Sequence, residues 1–193
     1  MLNHTNYLVK EHVTLLKLTD TYDILDPSSG QKLGYAFENI NMFFKLLRLL
    51  VNKRLLPSTV EIRNDREELM FSMKKGPQFL RTKVEIINAK SEPVGYFKSK
   101  LLTLGGAFEV FDKADNKVAD VKGDWKGWNF KFTGNNGMEI GTVTKKWAGI
   151  GKEFFTSADN YMIAINDKEI NTAKSMLLLA AGLAIDIVFK EKK

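Results

Sequence analysis

The stretch Ser175-Met-Leu-Leu-Leu-Ala-Ala-Gly-Leu-Ala-Ile-Asp-Ile-Val-Phe189, followed by Lys190-Glu-Lys-Lys193, decides how this chain folds. It is apolar all round a helical wheel apart from Asp186, so a helix here must be buried, either in lipid or in its own protein. Its fifteen residues rise about 22 Å as a helix. A bilayer's hydrocarbon core is about 30 Å thick and needs about 20 apolar residues. Asp186 adds roughly 3 kcal/mol to the cost of a membrane position. Upstream, Asn166-Asp-Lys-Glu-Ile-Asn-Thr-Ala-Lys174 is polar and does not extend the run. The stretch therefore reads as a core helix, which the rest of the chain has to enclose.

The preceding sequence supplies the enclosure. Val84-Glu-Ile-Ile-Asn88-Ala-Lys-Ser-Glu-Pro-Val-Gly95-Tyr96 is an alternating strand, a turn, an apolar residue, a small residue and a second strand. The unit recurs over 22–35, 108–121 and 130–143. Alternation gives each strand one buried face. Asp26, Asn88 and Asp112 are residues that hairpin turns accept. The small residue after each turn allows close backbone approach or a bulge. Further strands are expected at Val60–Arg63, Leu69–Met73, Lys152–Phe155 and Tyr161–Ile165, and a second helix over Asn39–Leu56. The expected fold is mostly β: a closed antiparallel barrel around the apolar C-terminal helix. Closure leaves no exposed edge.

Composition sets limits. The chain has 193 residues, 44% of them hydrophobic and 27% charged. That is one ordinary globular domain, 1–193, with room for a substantial core. Met1 to Tyr7 lacks the pattern of a signal peptide, so a cytoplasmic location, peripheral to a membrane, is expected. The absence of cysteine excludes disulfides, thiolate nucleophiles and Cys-bound zinc. His4 and His12 have no metal spacing, and no nucleophile elbow, P-loop or dinucleotide fingerprint is present. No enzyme activity and no cofactor are expected.

The segment from Ser157 to Asp167, with Leu177-Leu-Leu-Ala-Ala-Gly-Leu-Ala-Ile-Asp186-Ile-Val-Phe-Lys-Glu191, resembles the C-terminal end of the phospholipid scramblases. The hairpin units resemble the same group, which includes the plant LURP-one-related proteins and small bacterial relatives, all of the tubby-like superfamily. The resemblance runs from about Tyr22 to Glu191. It implies a barrel of about twelve strands around a central helix. It also implies contact with lipid headgroups, which tubby proteins bind as phosphoinositides. The scramblase calcium site lies in the acidic segment before the helix, where Asp159, Asp167 and Glu169 are the nearest matches. This chain is about one residue shorter there and lacks a proline. The positions alternating with Asp159 are Tyr161, Ile163 and Ile165, a strand pattern rather than a ligand loop. No metal is expected.

Charge points to an anionic partner. The formal net charge is +6 and the isoelectric point about 9.3. Asn39–Leu56 is apolar with basic residues at Lys45, Arg48, Lys53 and Arg54, in the manner of a helix on an anionic membrane. The bland alternative is a helix capping the barrel, its lysine and arginine facing water. Lys126 lies between Trp125 and Trp128, and Lys145-Lys146-Trp147 follows the next hairpin. Tryptophan beside lysine suits a membrane interface or stacked single-stranded nucleic acid; the bland alternative is a large strand residue with wet lysines. An anionic headgroup or acidic protein bound at the barrel surface is the favoured reading. A lipid-inserted protein and a nucleic-acid-binding barrel are the weaker ones.

Overall fold

Alternation forms the strands as expected. In Lys83-Val-Glu-Ile86, Val84 and Ile86 are buried while Lys83 and Glu85 face water. In Asn129-Phe-Lys-Phe132, the phenylalanines are buried and Asn129 and Lys131 exposed. The computed structural model describes residues 1–12, 21–47, 49–51, 55–76, 83–100, 107–124, 127–145, 160–167 and 170–186.

Twelve strands result: β1 (Asn6–Glu11), β2 (Thr21–Leu25), β3 (Lys32–Asn39), β4 (Ser58–Asn64), β5 (Leu69–Lys75), β6 (Lys83–Asn88), β7 (Pro93–Ser99), β8 (Ala107–Asp112), β9 (Lys117–Asp124), β10 (Asn129–Gly134), β11 (Glu139–Thr144) and β12 (Asn160–Ile165). Each pairs antiparallel with its neighbours in sequence, and β1 pairs with β12 to close the barrel. β1 is the strand that the hairpin repeat does not announce. Its signal is the run Tyr7-Leu-Val9, all fully buried.

The turns use one local chemistry. Asn88 Oδ1 accepts the N–H groups of Lys90 and Glu92, both at 2.9 Å. Asn64 does the same for Arg66 and Glu68, and Asp112 for Ala114 and Asn116. Glu67, Ser91 and Asp115 take the left-handed conformation that closes these turns, with φ of 63°, 64° and 63°. The next strand then carries one extra residue: Met70, Val94 and Val118 in these hairpins, and Leu33 and Ile140 in the β2–β3 and β10–β11 pairs. The small residue after the bulge has the role that its position suggests. A β-carbon on Gly95 would lie 2.1 Å from the Phe111 carbonyl oxygen, and one on Gly34 would lie 2.2 Å from that of Arg63.

Strict up-and-down order gives the barrel two unlike ends. The tight connections 26–31, 65–68, 89–92, 113–116 and 135–138 join strands at one end, the hairpin end. The segments 12–20, 40–57, 76–82, 100–106, 125–128 and 145–159 join strands at the other, the long-connection end.

The helix α2 (Thr172–Ala184) enters at the hairpin end, where β12 stops. Asn171 caps it by accepting the Lys174 N–H at 2.9 Å. Leu178, Leu179, Ala180, Ala181, Leu183 and Ala184 are fully buried, at about 1.5–3 kcal/mol for each leucine. α2 packs on β6, β7, β8, β11 and β12. No described helix is long and apolar enough to cross a membrane. The burial of these residues makes the described part of the apolar run, through Asp186, core, while Ile187-Val-Phe189 lie outside the described residues.

The helix expected over Asn39–Leu56 is corrected to α1 (Met42–Leu47). β3 stays hydrogen-bonded to β4 through Asn39, and Asn41 starts the helix by accepting the Phe44 N–H at 3.0 Å. No residue of α1 is buried, so no packed face extends it, and short helices are marginal without one. The strand expected at Lys152–Phe155 lies outside the described residues.

Candidate functional site

The 40–57 connection is the most apolar exposed part of the described surface. Met42, Phe43, Leu46, Leu49, Leu50 and Leu55 are 71%, 67%, 59%, 69%, 86% and 47% exposed. A contiguous apolar patch of this kind marks an interaction surface. Phe43 and Phe44 meet edge to face at 5.5 Å, which ties the tip of α1 together.

Beneath α1 is a cleft of about 500 Å³, lined by Asn41, Phe44, Lys74, Lys75, Lys83 and Glu85 among others. Three elements position these groups. α1 supplies the roof. β5 ends in Lys74-Lys75, of which Lys74 faces water and Lys75 is buried with the inward parity of Phe71 and Met73. β6 begins with Lys83, which pairs with Glu85 at 3.0 Å and lies 4.7 Å from the Tyr96 ring centre. Lys45 and Lys74 make no ion pair among the described residues. The arrangement sets lysines in the same region as exposed leucine and phenylalanine.

The sequence pattern points to the roof of this site but not its floor. Lys45 lies in α1 and is half-buried. Lys74, Lys75 and Lys83 come from two strands that pair across the 76–82 connection. Their only sequence signal is the paired lysine at the end of an otherwise alternating strand, Met73-Lys-Lys75.

The second expected patch is partly assembled. Lys145 Nζ lies 4.4 Å from the centre of the Trp128 ring, and Trp128 packs on Tyr161 at 5.4 Å. Tyr161 is fully enclosed, and burial raises its pKa well above the ordinary 10.0, with the charge of Asp186 adding to the shift. The phenol is thus held neutral inside the barrel. Lys145 and Lys45 share the long-connection end but occupy different arcs of the rim, separated by β12, β1 and β2. They do not line one pocket.

Asp167 sits at the opposite, hairpin end and pairs with Lys174. It borders a larger cleft of about 1160 Å³, lined by residues such as Asn88, Asp112, Lys113 and Asn136. Asn88, Asp112 and Asn136 are engaged in their own turns, and the cleft carries both signs of charge. Arg48, Lys53, Arg54, Lys126, Lys146, Asp159 and Glu169 lie outside the described residues.

Neither the curated proteins nor the solved structures contain a match to this chain. A family model described as Scramblase matches residues 8–192, nearly the whole chain, and the chain belongs to that family.

Proposed function

We propose that this barrel docks on an anionic membrane surface through α1, with Lys45 and the lysine cleft taking headgroup phosphates. The observation that carries the reading is the exposed apolar tip of a connection whose Asn41 and Phe44 line one cleft with Lys74, Lys75 and Lys83. In water, such a tip is unfavourable by about 1.5–3 kcal/mol for each leucine or phenylalanine left unburied. At a bilayer surface the tip enters the boundary between headgroups and acyl chains. Each lysine beside it adds about 1 kcal/mol against anionic lipid. Membership of a family named for lipid exchange supports a lipid-facing role. A nucleic-acid reading accounts for the lysines but leaves the leucines unexplained.

Flotation with neutral phosphatidylcholine vesicles and with vesicles containing phosphatidylserine tests the proposal. The expected result is co-flotation with the anionic vesicles, weakened by salt. Equal binding to both, resistant to salt, means apolar insertion without headgroup recognition. No flotation, together with salt-sensitive oligonucleotide binding, overturns the proposal.

A further inference from the structure

The cleft of about 1160 Å³ opens at the hairpin end, where α2 enters the barrel. Barrel mouths are favoured places for ligands, and this volume is ample for a small molecule. Its floor follows from the bulges. The extra residues of β7, β9 and β11 are Val94, Val118 and Ile140, and all three line the cleft with Leu177 of α2. Val94, Ile140 and Leu177 belong to the barrel core, and Val118 packs against it. The floor is thus the outer layer of the core. It is aliphatic, for no aromatic ring lines the cleft among the described residues. Met138 also lines it and is 63% exposed, the one exposed large hydrophobic residue described outside the 40–57 connection. An unbranched thioether adapts its shape to what it packs against.

The charged groups of the wall are matched within the protein. Asp167 pairs with Lys174, Glu139 with Lys131 at 2.9 Å, and Lys117 with Asp120 at 2.8 Å. Glu92 and Asp112 accept from the amides of Asn88 and Asn116 at 2.8 and 3.0 Å. Of the charged lining residues only Lys113, exposed in its hairpin, has neither an ion pair nor a hydrogen bond among the described residues. Three carboxamides of the lining are less committed. The Asn166 side chain makes no hydrogen bond among the described residues, and Asn136 and Asn171 use only their oxygens, which accept the Met138 and Lys174 N–H groups. A carboxamide both donates and accepts, as a hydroxyl does.

From the aliphatic floor, the matched charges and the available carboxamides, we infer that this mouth is a second binding site, for an uncharged aliphatic molecule carrying hydroxyl groups, of the monoacylglycerol type. The aliphatic part continues the core outward over Val118 and Met138. The hydroxyl groups exchange hydrogen bonds with Asn136, Asn166 and Asn171. The lining holds four carboxylates, Glu92, Asp112, Glu139 and Asp167, against the three lysines Lys113, Lys117 and Lys174. No cationic excess therefore draws an anionic head, and a cationic head finds each carboxylate already partnered. The site lies at the opposite end of the barrel from the connection that carries α1 and does not rest on the membrane reading.

Isotope-labelled methionine methyl groups read the site by NMR, Met138 reporting on the cleft and Met42 on the α1 end. Titration with monodecanoylglycerol, kept below the concentration at which it aggregates, is expected to move the Met138 resonance saturably and to leave that of Met42 in place. Decanoate, with the same chain and a charged head, is expected to bind more weakly. Met138→Lys and Asn166→Leu replace exposed residues and are expected to leave the melting temperature unchanged. By calorimetry, Met138→Lys loses roughly tenfold in affinity for monodecanoylglycerol, and Asn166→Leu roughly fivefold. A Met138 resonance that stays in place up to the solubility limit, or that moves together with Met42 without saturating, overturns the site. Decanoate binding as tightly as monodecanoylglycerol, or parental affinity in Asn166→Leu, overturns the uncharged hydroxyl class.

Discussion

Gly182 of α2 lies so close to Ile163 of β12 that a β-carbon at 182 would stand 2.5 Å from Ile163 Cδ1. Cγ1 and Cγ2 of that isoleucine would be 2.8 and 3.0 Å away. Ile163 is fully buried. The glycine is thus a packing requirement of a helix threaded through a barrel.

Two effects compete in Gly182→Ala. Helix propensity favours alanine by about 1 kcal/mol. Overpacking a full core costs typically 1–3 kcal/mol. The clash involves an entire β-branched side chain, so overpacking wins, and net destabilisation of up to about 2 kcal/mol is expected by denaturant unfolding. Ile163→Val removes the nearest carbon. The double variant is expected to be less destabilised than the sum of the singles, and strict additivity counts against the contact.

The enclosed helix is also a folding requirement. Leu178→Ala is expected to cost about 2–5 kcal/mol by opening a cavity in the barrel. Leu178→Lys places an unpaired charge there and costs more. Removing residues from Lys174 onward leaves the inward faces of β6, β7, β8, β11 and β12 without their partner. That truncated chain is expected to show no cooperative thermal transition. A soluble truncated barrel with unchanged melting is the outcome that refutes enclosure.

Much of this was legible in the sequence because it is local or compositional. Val84-Glu-Ile86 and Phe130-Lys-Phe132 show strands, Asn88 and Asp112 show turns, and the length of the run from Ser175 shows core. Closure by Tyr7-Leu-Val9 was not, because β1 pairs with β12 at the far end of the chain. The length of α1 was missed because it depends on tertiary packing that the 40–57 segment does not receive. The cleft was missed because Lys74 and Lys83 line it together with Asn41 only through strand order.

The turns predict a pH effect. The pKa of Asp26 lies below its ordinary 3.8, chiefly through the Ser28 hydroxyl, and that of Asp112 lies below the same value, chiefly through the Asn116 side chain. A carboxylate with a lowered folded pKa stabilises above its unfolded value, and that contribution is lost as pH falls through the folded value. Asn64 and Asn88 make the same turn bonds without titrating. Asp26→Asn with Asp112→Asn is therefore expected to leave stability at pH 7 within about 0.5 kcal/mol per site. Between pH 5 and pH 2, its urea midpoint is expected to fall less than that of the parent. Parallel falls in the two proteins contradict the assignment.

Leucine and lysine at the α1 end are expected to fail in different ways. Leu46 and Leu50 are exposed, so Leu46→Ser and Leu50→Ser leave the melting temperature unchanged. On a membrane each loses about 1.5–3 kcal/mol of burial, roughly a tenfold or greater loss of vesicle affinity. That loss is the same at low and high salt, because it is apolar. Lys74→Gln loses about 1 kcal/mol, near fivefold, and only at low salt, because its contribution is screened. The salt dependence of binding is therefore expected to flatten in Lys74→Gln and to persist in Leu50→Ser. Equal slopes in both variants would mean that Lys74 does not face the headgroups, and unchanged affinity in Leu50→Ser would mean that α1 stays out of the lipid.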